Sequence, residues 1–121
     1  MSEFLDELDV RLINDESNLW VINSVFRYKS DLLGGAIITV PIGFRTNFAS
    51  VPRLPLAYLL FGGVANKAAV VHDYLYSTGK ISRSKADAVL KEASKVSGVG
   101  WFRRQAMWLG VRAGGSSHYG K

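Results

Sequence analysis

The run Ala68-Ala69-Val70-Val71-His72-Asp73-Tyr74-Leu75-Tyr76 decides how this chain folds. It is apolar except for two adjacent titratable residues. Asn66 before it and Gly79 after it read as a cap and a stop, which predicts a helix from Asn66 to about Ser77. A histidine and an aspartate on a buried helix are costly unless both are partnered. Histidine is also the side chain suited to proton transfer near neutral pH, and aspartate can hold a hard cation or orient an imidazole. The segment is therefore both the heart of the fold and the first candidate site.

Working outward, Ser82 caps a second helix over roughly 83–97, with Ala86, Val89, Leu90, Ala93 and Val96 as its apolar stripe and Gly98 as its stop. A third helix runs from Trp101 to Ala113. Upstream, the chain reads as β-structure. Leu19-Trp20-Val21-Ile22, Val25-Phe26-Arg27-Tyr28 and Ala36-Ile37-Ile38-Thr39-Val40 are rich in β-branched and aromatic residues, and Asp31 and Gly34-Gly35 mark a turn. Ile42–Phe48 adds a short strand leading into a loop. The expected fold is α+β: a small antiparallel sheet from the N-terminal half packed on about three C-terminal helices. A single domain covers 1–113, and the Gly/Ser-rich tail 114–121 is expected to be flexible.

The chain has 121 residues, 48% of them hydrophobic, enough for a core of its own. It has no cysteine, which removes disulfides, thiolate metal sites and a cysteine nucleophile. Its net charge of +5 is uneven: residues 1–16 hold six acids and one base, and the remainder is strongly basic. No apolar run is long enough to span a bilayer, and the acidic N-terminus is the reverse of a signal peptide.

On a helix, His72, Leu75 and Tyr76 share one face, and Asp73 lies about 100° round from His72. The two would divide labour, His72 acting on a water while Asp73 ligates a metal or meets an arginine. A histidine base needs its second ring nitrogen fixed by a carboxylate. Asp87 is the candidate, because a tight turn through Thr78-Gly79-Lys80-Ile81 would set the two helices antiparallel and bring it to His72. A Ser50–His72–Asp87 triad has no G-x-S-x-G elbow behind it. Two histidines without cysteine do not make a zinc site, and no phosphate-binding loop is present.

Pro41-Ile42-Gly43-Phe44-Arg45-Thr46-Asn47-Phe48-Ala49-Ser50-Val51-Pro52-Arg53, followed by the His72 run and by Ala86-Asp87, resembles a small domain of unknown function found in tailed bacteriophages and prophages. Its signature looks like G-F-x-T-D-x-A-S-V-P-R and then A-A-x-x-H-D-x-L-Y. Asn47 departs from it, since the family pattern has aspartate there. The resemblance covers nearly the whole chain and implies a phage origin; from the acidic N-terminus the chain is expected to be made in the host cytoplasm, and a place in the virion, in the tail for example, is the accompanying expectation. The resemblance does not imply an activity.

Locally, His72-Asp73-Tyr74-Leu75-Tyr76 is also similar to the active-site helix of secreted phospholipases A2, with its H-D-x-x-Y. That similarity implies His72 as the base, braced by Tyr76 and Asp87. It also implies calcium held by Asp73 with carbonyls of a loop such as Gly62-Gly63 and with Asn47. The cysteines of that family are missing.

Arg53, Trp101, Arg103, Arg104 and Trp108 are candidate contacts to a partner or to an anionic membrane surface, since tryptophan and arginine are enriched at such interfaces. The expected partners are phage structural proteins or further copies of the chain. Nucleic acid is not expected, because no recognised module is present. Two functional readings follow. One is a virion-associated protein with a hydrolase-like site acting on lipid esters of the host envelope. The other is a structural virion or tail-assembly protein in which the His-Asp helix is a polar brace. They part at His72: an enzyme needs it reachable from solvent, and a brace needs it closed over.

Overall fold

Turn chemistry and alternation build the first half of the molecule. The computed structural model describes residues 1–14, 16, 19–46, 66–98, 101–114 and 119. Strands β1 (Glu3–Phe4), β4 (Phe26–Ser30) and β5 (Ala36–Val40) form one antiparallel sheet in the order β1-β4-β5. Strands β2 (Val10–Asn14), β3 (Leu19–Ile22) and β6 (Arg45–Thr46) form another in the order β2-β3-β6. In β4 every second residue is buried, namely Phe26, Tyr28 and Ser30. The register sets Phe26 against Val40 and Tyr28 against Ile38, so aromatic and branched side chains meet on one face. The turn Asp31–Gly35 joins β4 to β5. Gly34 and Gly35 sit there at φ of 72° and 85°, where a side chain would be strained, and the Gly35 N–H donates to the Ser30 carbonyl at 2.8 Å.

The second half is three helices: α1 (Asn66–Thr78), α2 (Arg83–Val96) and α3 (Trp101–Gly114). Helix α1 stops where Gly79, at φ 60°, turns its N–H onto the Leu75 carbonyl at 3.1 Å. Helix α2 starts at Ser82, whose hydroxyl accepts the Lys85 N–H at 3.2 Å. Residues 68–73, Leu75 and Tyr76 of α1 are all buried, so this helix is enclosed on most sides. Helix α2 is two-faced, burying Ala86, Asp87, Val89, Leu90, Ala93 and Ser94. Val96, expected in that stripe, is 40% exposed, because it is the last residue of the helix.

One core joins the halves. Ile22, Phe26, Tyr28, Ile38 and Val40 pack with Val70, Val71, Leu75, Val89, Leu90 and Val111, and Phe4 stacks on Phe26 at 5.6 Å. Full burial of each of the larger side chains contributes about 1.5–3 kcal/mol. Glu92 of α2 ties the helices to the first sheet. Its carboxylate accepts the Tyr28 hydroxyl at 2.7 Å, the Ser30 hydroxyl at 2.7 Å and the Leu32 N–H at 2.9 Å. Burial, and then the hydrogen bond to Glu92, raise the Tyr28 hydroxyl above its ordinary pKa.

The arrangement is α+β as the pattern predicts, with two sheets in place of one. The difference comes from β1 and β2, which lie within the acidic leader. In Val10-Arg11-Leu12-Ile13-Asn14 the two-residue period is interrupted, so no strand is legible there. Charge pairing instead pins the leader: Asp6 accepts from the Arg27 backbone N–H at 2.9 Å, from Nε at 2.8 Å and from Nη2 at 3.0 Å. The strand expected over Ile42–Phe48 is confined, among the described residues, to Arg45–Thr46. No helix among the described residues is long and apolar enough to cross a membrane.

Candidate functional site

The turn from Gly79 to Ser82 lets α2 fold back along α1. That places Asp87, one turn into α2, against the face of α1 that carries His72 and Tyr76. The His72 Nε2 lies 2.8 Å from Asp87 Oδ1. The Tyr76 hydroxyl donates to the same oxygen, and Arg112 Nη1 of α3 donates to Oδ2 at 2.9 Å. The His72 and Tyr76 rings are tilted against each other with centroids 4.1 Å apart. One carboxylate thus gathers an imidazole, a phenol and a guanidinium from two other helices.

The cluster is closed. The side chains of His72 and Asp87 are 0% exposed, and Arg112 reaches in from a position 35% exposed. Burial opposes ionisation of Asp87. The hydrogen bonds from His72 and Tyr76, the His72 charge and the Arg112 hydrogen bond outweigh it, holding the carboxyl below the usual carboxylate range. Burial, and then the bond to that carboxylate, push the Tyr76 hydroxyl up. The Tyr119 ring meets Tyr76 edge-on at 5.4 Å, and its hydroxyl donates to the Ile81 carbonyl on the α1–α2 turn.

Asp73 faces elsewhere, as its helical offset predicts. It is buried and accepts the Thr46 hydroxyl of β6, which ties α1 to the second sheet. Asn47, Arg53, Gly62 and Gly63 lie outside the described residues, as does Ser50. Of the four residues expected around calcium, Asp73 is therefore the one that falls within the described residues. Among the described residues no group of three or more His, Asp or Glu side chains could hold a metal ion. Trp101 and Arg103 fall on the first turn of α3, and Arg104 and Trp108 follow on the same helix, where the Lys91 ammonium lies 5.3 Å from the Trp108 ring centre.

Two arginines outside the candidate set, Arg83 and Arg112, are turned inward. Arg112 completes the Asp87 cluster. Arg83 donates through Nη2 to the Val111 and Arg112 carbonyls at 2.7 and 2.6 Å, capping the last turn of α3 where the helix dipole favours a cation. No spacing rule links positions 25 or more residues apart on different helices, so neither role is written in a local motif.

An α+β domain whose antiparallel helices close over a histidine–tyrosine–aspartate–arginine cluster is the class this architecture defines. The chain belongs to the family described as Protein of unknown function (DUF1353), whose model matches residues 20–111. The matched span holds His72, Tyr76 and Asp87. No curated protein and no solved structure matches the chain.

Proposed function

We propose that this chain is a structural or assembly protein of a tailed-phage particle, and that the His72–Tyr76–Asp87–Arg112 cluster is the polar brace that locks its three helices together. The observation that carries the reading is the closure of the cluster: His72 and Asp87 are fully buried, and the carboxylate is occupied by three donors of its own chain. A general base must reach the proton it takes, directly or through one water. The phage setting rests on the resemblance of the Pro41–Arg53 and Ala68–Tyr76 motifs.

One observation favours a second reading. His72 is held through Nε2 by a carboxylate that Tyr76 also grips, which is the brace expected for the base of a phospholipase-A2-like esterase. In that reading Asp73 would help to hold calcium, and the metal would supply charge to stabilise an oxyanion.

One comparison separates the two. Wild type and His72→Gln are assayed for calcium-dependent hydrolysis of mixed bacterial phospholipids, with thermal unfolding measured in parallel. The brace reading expects no turnover by wild type and a lower melting temperature for the variant. Turnover that requires both calcium and His72 overturns it in favour of the esterase. Peptide mass spectrometry of purified particles tests the setting, and absence of the chain from them refutes it.

A further inference from the structure

Helices α2 and α3, from Arg83 to Gly114, carry seven bases and two acids. Both acids are used inside the fold: Asp87 by the buried cluster, and Glu92 by Tyr28, Ser30 and Leu32. Glu92 is half-buried with its carboxylate bonded to the first sheet, and the lysines of α2 lie toward solvent. Lys91 and Lys95 stand one turn apart on α2, Lys85 and Lys95 are exposed, and the Lys91 ammonium rests 5.3 Å from the Trp108 ring centre. Leu109, the next residue of α3 and about 100° round from Trp108, is 59% exposed.

We propose that this face of α2 and α3 docks on an anionic lipid headgroup layer, with Lys91 and Lys95 meeting the phosphates and Trp108 and Leu109 meeting the headgroup–acyl boundary. Lysine and tryptophan side by side on two adjacent helices suit that boundary, where an indole is half wetted and an ammonium finds phosphate. The exposed leucine decides between phosphate-bearing partners. An apolar side chain gains by entering a lipid interface, whereas a nucleic-acid backbone is held by charge and hydrogen bonds. The proposal stands on this face alone and holds whichever reading of the His72 cluster is correct.

The test is sedimentation of the full chain with vesicles of phosphatidylglycerol and phosphatidylcholine, against vesicles of phosphatidylcholine alone and against duplex DNA. Binding is expected to the anionic vesicles, weakened by salt and absent from the neutral ones. Each lysine contributes about fivefold near an anionic surface, so Lys91→Gln with Lys95→Gln is expected to weaken binding about thirtyfold. Arg11→Gln with Arg45→Gln, exposed positions on the second sheet, removes the same charge and is expected to bind nearly as wild type. If the lysine pair melts below wild type, Lys95→Glu alone replaces it; it changes the charge by the same two units and is expected to weaken binding about thirtyfold. Equal losses in the two pairs, no binding to anionic vesicles, or binding to duplex DNA without binding to vesicles would overturn the proposal.

Discussion

Asp87→Asn is the sharpest test of the brace. The aspartate is fully buried and accepts from His72, Tyr76 and Arg112. An asparagine of the same shape has one acceptor oxygen and one amide group that only donates. If its oxygen faces His72 and Tyr76, its amide confronts the Arg112 guanidinium, donor against donor. If it flips, the Tyr76 hydroxyl loses its acceptor. Either way a buried polar group is left unsatisfied, at about 1–3 kcal/mol, and the guanidinium loses its counter-charge. Breaking one side of a buried ion pair costs about 3–5 kcal/mol, and the partial exposure of Arg112 places the sum near the lower end, about 3 kcal/mol. For a domain of this length that is a fall of roughly 10–15 °C in melting temperature. Circular dichroism melts at neutral pH, with urea unfolding as a second measure, read it directly. A loss below about 1 kcal/mol would show that the cluster does not hold the helices together, and the brace would have to be abandoned.

The same carboxylate sets an acid limb. Asp87 is held below its unfolded pKa, which lies at about 3.9 for an aspartate. Its contribution is therefore complete above that value and is lost as pH falls through the lower folded value. The stability gap between wild type and Asp87→Asn should stay level from neutral pH down to about pH 5 and shrink below about pH 4; a gap that narrows first near neutrality contradicts the assignment. Glu92→Gln should cost about 1–3 kcal/mol in urea unfolding, because a carboxylate that accepts from Tyr28, Ser30 and Leu32 becomes an amide with one acceptor. An unchanged midpoint would mean that the packed core alone joins α2 to the first sheet.

Much of this molecule was legible in its residues because the signals are local. Capping by Ser82 and the stop at Gly79 are settled within a few residues of backbone, so the helix limits could be read within one or two positions. The β4–β5 hairpin was equally plain, since Gly34 and Gly35 supply conformations that other residues resist. The meeting of His72 and Asp87 followed from a short turn between two helices of known pitch. The leader was not legible. Strand β1 is two residues long and β2 lacks clean alternation, and both exist through pairing with distant strands.

By itself the sequence determined the α+β order of elements, the helix ends, the buried character of the His72 segment and the excess of positive charge. These depend on backbone sterics, side-chain periodicity and composition, which act over short spans or need no geometry at all. The tertiary structure alone decided that the strands form two sheets, that Arg112 and Arg83 turn inward, and that both acids of α2 are used inside the fold. Those outcomes depend on which helix faces which. They are set by the burial of one shared core, which pulls Asp87 away from water and makes a guanidinium from α3 the partner that keeps its charge tolerable.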